Sequence, residues 1–492
     1  MFLGIDLGTS EVKLLLLDEA GGLVGQAGAP LSVSRPQPLW SEQDPQAWWR
    51  ATEQAVAKLR QDFPGLLAQV RAIGLSGQMH GAVLMDARGR VLRPAILWND
   101  GRSHLECEEL TASTPRLHEI AGNLAMPGFT APKLLWVKKH EPALFAQVDC
   151  VLLPKDWLRW QLTGEKVSEP SDAAGTLWLD VAARDWSDEL LGACGLSRAQ
   201  MPRLVESNQA SGVLKPALAM AWGLGPDVVV AGGAGDNAAS AIGIGATAPG
   251  DGFISLGTSG VLFVVNDRYR PNPQSAVHAF CHALPARWHQ MSVMLSAASC
   301  LKWFVNFSGA SDEAALLDEV AALPQASLMQ APIFLPYLAG ERTPHNNPFA
   351  TGVFHGLGHE SNRALCGYSV LEGVAFALAD GLAALQAAGT EVQCLSLVGG
   401  GARSALWAQL IADVLQVEIV VHAGSDAGGA LGAARLGWMA AGGDAAAVCR
   451  KPEVAARYQP NPSNENPLQE RLQRFREIYR RLQTLTPLRS VA

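Results

Sequence analysis

The sequence predicts an α/β protein made of two duplicated domains that flank a cleft. Three observations carry this. The tetrapeptide Leu7-Gly8-Thr9-Ser10 returns 249 residues later as Leu256-Gly257-Thr258-Ser259, about half of the 492-residue chain. Each copy lies between two apolar runs: Phe2 to Asp6 then Val12 to Leu17, and Phe253 to Leu256 then Val261 to Val265. Other apolar runs alternate with segments of helical spacing, as in sheets covered by helices. The shared strand–turn–strand context reads as a duplication, with domains expected at 1–246 and 247–492.

Along the first half, Phe2 to Asp6, the turn at Gly8-Thr9-Ser10, Val12 to Leu17, a turn at 18–22 and Leu23-Val24 form a hairpin and a third strand. Trp48, Ala51, Ala55, Val56 and Leu59 have helical spacing. Val70 to Leu75 is a short buried strand ending at Ser76-Gly77-Gln78-Met79-His80-Gly81, and Val83 to Met85 and Val91 to Trp98 read as strands. A helix is expected from Lys133 to His140. Asp227 to Ala231 is a continuous apolar strand, of the kind buried on both faces. It runs through Gly232-Gly233-Ala234-Gly235 into Asp236-Asn237 and a helix of small residues, Ala238 to Ile242. In the second half, Val392 to Val398 is a strand ending in Gly399-Gly400-Gly401-Ala402, and Leu468 to Leu485 an amphipathic helix.

Composition narrows the function classes. Hydrophobic residues are 48% and charged residues 17%, which excludes a disordered or fibrous chain. A formal net charge of −8 argues against nucleic acid as partner. No uninterrupted apolar run reaches bilayer length, so no membrane partner is expected. The opening residues lack a basic region and place Asp6 where a secretory core would be apolar. Eight scattered cysteines without a C-x-x-C pair read as reduced thiols, and together these features point to the cytoplasm.

The chemistry is expected at the turns. A Gly-Thr-Ser turn offers amides and hydroxyls without bulk and lets phosphate oxygens approach closely. Asp6 closes the first strand and suits a Mg²⁺ ion held largely through water; Lys13, just beyond, is either a phosphate neighbour or a solvent lysine. No G-x-x-x-x-G-K-[ST] loop and no Gly-x-Ser-x-Gly elbow occurs. Gly243-Ile244-Gly245-Ala246-Thr247-Ala248 fits G-x-G-x-x-A but sits at the domain junction, not in a first βα turn. Asp236 is either a helix cap or a base with open space before it. His278 and His282 are spaced for a zinc pair, yet Val277, Phe280 and Leu284 make packing the better reading. His80 is either a functional loop residue or a loop histidine with a backbone partner.

Taken together, these pieces resemble the FGGY carbohydrate kinases. The resemblance rests on both Gly-Thr-Ser turns, Gly235-Asp236-Asn237, Gly399 to Ala402 and the segment Gly128 to Val137. Gly352 to Leu357 and Ser369 to Glu372 fit a second signature, from which Leu365 and Cys366 depart. Trp40 to Pro45, Gly77 to Gly81, Ile96 to Arg102, Leu153 to Asp156 and Gly340 to Pro348 are most similar to bacterial members acting on D-xylulose; Met79-His80 separates them from glycerol kinases, which carry Arg-Glu there.

The resemblance implies two actin-like, ribonuclease-H-like domains, the first on the sugar side and the second on the ATP side. It implies phosphoryl transfer from ATP to a ketose, with Asp236 as the catalytic base. Thr9, Ser10, Lys13, Gly257, Thr258 and Ser259 would hold phosphates, and Gly400, Gly401 and Ala402 the adenosine. Gln78, Met79, His80 and Asn237 would bind the sugar, with Trp98 and Asn99 completing the pocket. Asp6 and Asp236 would hold Mg²⁺. Two alternatives stay open: a kinase for another ketose or a sugar acid, and an actin-like ATPase without a sugar substrate. The oligomeric state also stays open, a homodimer among the options.

Overall fold

The computed structural model describes residues 1–423 and 428–483. Among the described residues there are two seven-stranded sheets that share the same order over six strands; the seventh is Ala234–Gly235, beside Ala72–Gly77, in the first and the edge strand His278–Cys281 in the second. In the first, Phe2–Leu7 forms an antiparallel hairpin with Glu11–Leu17, which pairs with Leu23–Pro30. On its other side Phe2–Leu7 runs parallel to Ala72–Gly77, followed by Val229–Ala231 and the antiparallel Ala210–Val213. In the second, Asp251–Leu256 forms a hairpin with Gly260–Asn266, which pairs with Trp288–Met294 and then His278–Cys281. On its other side lie the parallel Cys394–Val398 and Glu418–His422 and the antiparallel Val454–Tyr458. The tetrapeptide repeat thus marks a repeat of topology.

Alternation along the first strand explains its packing. Leu3, Ile5 and Leu7 point to one face and pack with Trp48, Ala55 and Leu59 of the helix Pro45–Asp62. Phe2, Gly4 and Asp6 point to the other. There Phe2 packs with Leu15, Leu17, Ala72, Ala430 and Ala434, the last two from the helix Gly428–Ala440. That helix belongs to the second half of the sequence but lies on the first sheet. Glycine makes this possible. A β-carbon on Gly4 would collide with the Ala430 carbonyl, one on Gly74 with Ala433, and one on Gly432 with Ala239 of the helix Asp236–Ile244. Arg435 then ties the two helices, donating to the carbonyls of Ile242 and Gly243 at 2.9 Å each.

Several expected elements are shorter or displaced. Only Ala95–Ile96 is strand within Val91 to Trp98, because Pro94 lacks a donor for a ladder. The helix expected from Lys133 begins at Thr130, and the strand expected from Asp227 begins at Val229. The terminal helix is Pro462–Leu482; residues 484 and 485 of the expected span lie outside the described residues. The helix Arg363–Gln386 is long and apolar enough to cross a membrane, but 94% of its apolar window is buried inside the protein, as a core helix. All eight cysteines are unpaired.

Candidate active site

Parallel pairing places Asp6 beside Ser76, Ser76 beside Ala234 and Gly77 beside Gly235. Three strand ends thereby bring Asp6 and Asp236 to one edge of the first sheet, the carboxyl edge where open α/β sheets bind ligands. The chain reaches Asp236 through Gly233, whose φ of +72° and tight approach to the Leu75 backbone require glycine. Asp236 is the first residue of its helix, and Gly235 occupies the cap position. The carboxylate is therefore not a helix cap. Its Oδ1 accepts from the Asn237 amide at 2.7 Å and from Asn237 Nδ2 at 2.9 Å.

Burial, and secondly the Asp6 carboxylate, push the Asp236 pKa up to about 6. Asp6 is raised as well, by burial first, with Ser76 and Lys13 acting in the opposite direction. Glycine again allows the approach of a neighbour: a β-carbon on Gly429 would lie 3.0 Å from Asp6 Oδ1 and 2.8 Å from Ser76 Oγ. Two neighbouring carboxyls, both harder to ionise than usual, form a donor set that a divalent cation relieves. Among the described residues no group of three His, Cys, Asp or Glu closes a metal cage. The pair suits a cation that keeps several waters, as Mg²⁺ does.

The first Gly-Thr-Ser turn is held by its carbonyls. Gly8 N donates to Glu11 O at 3.0 Å, Gln43 Nε2 to Thr9 O at 2.7 Å, and Gln78 Nε2 to Gly8 O at 3.4 Å. Gln78 and Gln43 are joined at 2.9 Å. The Thr9 hydroxyl donates to Gln78 Oε1 at 3.1 Å and accepts from the Trp98 indole at 2.9 Å. The amides of Thr9 and Ser10 have no acceptor among the described residues. Amides free and carbonyls tied back is the polarity that suits an anion. Gln78 and the Trp98 indole N–H, both expected at the sugar, are thus bonded to this turn. Lys13 is exposed and pairs with Glu11 at 3.7 Å.

The second turn repeats this polarity. Gly257 N donates to Ser259 O, while Ala298 N donates to Gly257 O and Ala297 N to Thr258 O at 2.8 and 2.9 Å. Thr258 and Ser259 are left exposed. Beside the strand that carries them, Cys394–Val398 ends in Gly399, whose φ is +89° and which abuts the Leu256 backbone. A β-carbon on Gly400 would meet nothing within 4 Å, so this backbone faces open space, while Gly401 packs on Leu256 and Ala402 lies half-buried.

In the loop after Ala72–Gly77, His80 has a φ of +68°, unusual for a side chain of its size. Its Nδ1 lies 2.6 Å from Gly175 O. A carbonyl only accepts, so Nδ1 carries the proton and Nε2 is left as an acceptor. Burial pushes the ring's pKa down to about 3, so it stays neutral. Gly175 has to be glycine, since a β-carbon there would lie 2.6 Å from His80 Nδ1. Phe129 packs against the ring at 4.6 Å between centroids. Met79 is buried against Gly235, next to Asp236, and Asn99 is exposed.

Two residues lie in segments the sequence singled out but were given no site role from it. Lys133, fully buried, donates to the carbonyls of His80 at 2.9 Å and Gly128 at 2.7 Å, and burial pushes its pKa down to about 7. Arg342 sits in a loop pinned by Thr343, whose N donates to Val293 O at 3.1 Å and whose Oγ1 donates to Ala276 O at 2.9 Å. The Arg342 guanidinium donates no hydrogen bond among the described residues, and its charge lowers the pKa of both His80 and His278. An unpaired cation beside two neutral histidines has no one-dimensional signature. His278 and His282 form no zinc site: His278 bonds Asn123 Oδ1 at 3.0 Å and His282 bonds Ala246 O at 3.2 Å.

Comparison with known proteins adds to this geometry. Residues 1–243 match the N-terminal domain of the FGGY family of carbohydrate kinases, and residues 252–441 its C-terminal domain. The chain is 53% identical to the xylulose kinase of Escherichia coli (strain K12), over 98% of this chain and 99% of that one. It is 54% identical to the xylulose kinase of Klebsiella pneumoniae over 89% of this chain and 90% of that one. The crystal structure of a xyloylose kinase from Brucella ovis superposes with a TM-score of 0.95 at 52% identity, covering 99% of this chain and all of that one.

Proposed function

The chain belongs to the FGGY family of carbohydrate kinases, a family of actin-like fold that uses ATP as phosphate donor, and on that footing we propose that it phosphorylates D-xylulose at its 5-hydroxyl. The observation that carries the mechanism is the Asp6–Asp236 pair at the strand ends of the first sheet. With its pKa raised to about 6, Asp236 is ionised at neutral pH yet a better proton acceptor than an ordinary aspartate. It takes the proton of the attacking hydroxyl as that oxygen bonds to the γ-phosphorus and the bond to the β-phosphate oxygen breaks.

The free amides of Thr9, Ser10, Thr258 and Ser259 and the hydroxyls of Ser10, Thr258 and Ser259 hold the β- and γ-phosphates, with Lys13 near them. Gly400, Gly401 and Ala402 receive the adenosine. His80 Nε2 accepts from a sugar hydroxyl, and Met79, Asn237, Asn99 and the outer face of Trp98 shape the rest of the pocket. Gln78 acts one step back, through Thr9. Mg²⁺ would be held by Asp6 and Asp236 through water and would supply neutralisation of the phosphate charge. Residues 1–246 are the sugar-side domain and 247–492 the ATP-side domain, the helix Gly428–Ala440 bridging them. The second-domain loop brings Arg342 to the His80 side.

A coupled assay with ATP, Mg²⁺ and a panel of ketoses, polyols and sugar acids tests the reading. D-Xylulose should give the highest kcat/KM. Preference for another sugar by tenfold or more replaces the substrate; ATP turnover that no sugar stimulates rejects the sugar kinase.

A further inference from the structure

Beneath the strand ends that carry Asp236 and the 78–80 loop lies a cluster of five charged side chains, none exposed to solvent. Lys155 Nζ lies 2.7 Å from Asp156 Oδ1, 2.9 Å from Asp172 Oδ2 and 3.2 Å from Glu169 Oε1. Arg159 Nη1 lies 2.7 Å from Asp156 Oδ1. Hydroxyls complete the set: Ser168 donates to Asp156 at 2.6 Å and Ser207 to Glu169 at 2.7 Å. Burying two cations with three carboxylates is costly, and apolar side chains of similar volume would stabilise such a place as well or better. Burial, chiefly, pushes the Asp172 carboxyl up to about 8, against the pull of Lys155.

Two of the cluster's outward bonds reach one segment. Arg159 Nη2 donates to the carbonyl of Gly232, and Arg159 Nη1 also to Val167 O at 2.5 Å. Ser171, whose amide is held by Glu169 at 2.7 Å, accepts at Oγ from the amide of Gly235 at 3.2 Å. The two ends of the loop 232–235 are thus tied to the charged cluster, and the next residue is Asp236. Lys155 also packs beneath Gly77: a β-carbon there would lie 3.1 Å from Lys155 Cβ.

We propose that the cluster of Lys155, Asp156, Arg159, Glu169 and Asp172 is a positioning device for Asp236, acting through the Arg159–Gly232 and Ser171–Gly235 hydrogen bonds. The proposal rests on the reading of Asp236 as the base. Glycines at 232, 233 and 235 give the segment little stiffness of its own. The cluster adds to the bonds the segment makes elsewhere, Gly232 N to Gln209 O at 2.8 Å, Gly233 N to Ser207 O at 3.0 Å and the pairing of Ala234 and Gly235 with Ser76 and Gly77, because ionic and hydrogen-bonded groups have directions where an apolar packing has none. Reaction rates are steep in such placement, with a shift of about 1 Å costing on the order of 10²-fold.

Ser171→Ala removes one of the two ties to the cluster and little volume; Arg159→Lys keeps the charge and removes the fork that reaches Gly232. Both should lower kcat by about three- to thirtyfold, leave KM for sugar and ATP within twofold, and move the acid limb of the kcat–pH profile, which reports the surroundings of Asp236. Thermal melting accompanies each assay. If Arg159→Lys does not fold, Ser171→Ala decides. A folded Ser171→Ala protein with kcat and acid limb unchanged overturns the proposal; so does a loss of kcat matched by the fraction unfolded at the assay temperature. Absence of turnover by the parent with every sugar defeats the functional reading instead, and the variants are then compared on ATP hydrolysis alone.

Discussion

The indole N–H of Trp98 donates to the hydroxyl of Thr9 at 2.9 Å, joining a half-exposed aromatic to the first Gly-Thr-Ser turn. A sugar resting on that ring would touch the residue that orients Thr9. Trp98→Phe keeps the ring and deletes the donor. The expected result is a loss of kcat, with sugar KM changed less than threefold, and a larger share of ATP hydrolysed without sugar. Trp98→Ala should raise sugar KM as well. Steady-state kinetics with and without xylulose measure both.

Asp236→Asn should cut turnover by about 10²–10⁴-fold, the usual contribution of a general base, while sugar binding by calorimetry persists. The same group fixes a pH dependence. Its folded pKa, about 6, lies above the ordinary aspartate value, so the folded state holds the proton more tightly than the unfolded one. Turnover should therefore fall as pH drops through about 6. Ionisation of Asp236 opposes folding at neutral pH, an effect absent below the unfolded pKa. Asp236→Asn should melt at a higher temperature than the parent at pH 8, and the gap should close as pH falls toward 4, the ordinary aspartate value. A variant equally stable at every pH would contradict the raised pKa.

His80→Ala removes an acceptor whose tautomer is fixed by Gly175. Sugar affinity should weaken by about 1–3 kcal/mol, with ATP affinity unchanged. Because burial holds the ring's pKa at about 3, sugar KM should show no histidine titration between pH 5 and 8. A KM that rises tenfold on acidification through that range would show a protonating ring.

Arg342→Met tests the unpaired guanidinium. Sugar kcat/KM should fall at least tenfold while melting temperature stays level or rises, since a half-buried cation without an acceptor opposes folding. A fall in melting temperature with kinetics intact would make the residue structural.

Gly432→Ala places a methyl group against the Ala239 carbonyl, which neither helix can move away without separating. Melting should drop by several degrees, the consequence of roughly 1–3 kcal/mol of overpacking. An unchanged melting curve would mean that the two helices are not in firm contact.

The parts of this molecule set by local pattern were legible in its sequence. The apolar run Phe2 to Asp6 ahead of a Gly-Thr-Ser turn marked the first strand, and the Leu-Gly-Thr-Ser repeat led to a strand order shared by the two sheets. Asp236 could be singled out because its loop is made of small residues, although only the structure shows Gly235 in the cap position. What could not be read depends on contacts between distant segments. Gln78 looks like a neighbour of His80 in the sequence, but its amide is spent on Gly8, Thr9 and Gln43. Trp40 to Pro45 looks like a site motif, yet Asp44 caps the helix Pro45–Asp62, Gln43 braces the phosphate turn and Glu42 pairs with Arg93. Lys133 and Arg342 gain their meaning from a carbonyl and two rings far away in the chain.

The helix Gly428–Ala440 also bears on how the protein is made. Phe2, Leu15, Leu17 and Ala72 leave the ribosome early, but the helix that covers them is encoded more than 350 residues later. Throughout synthesis of the second half, the first sheet keeps one apolar face bare. A chain halted near residue 246 should therefore expose that face and aggregate, and exchanging the two halves as cassettes should require residues 428–440 to travel with the first.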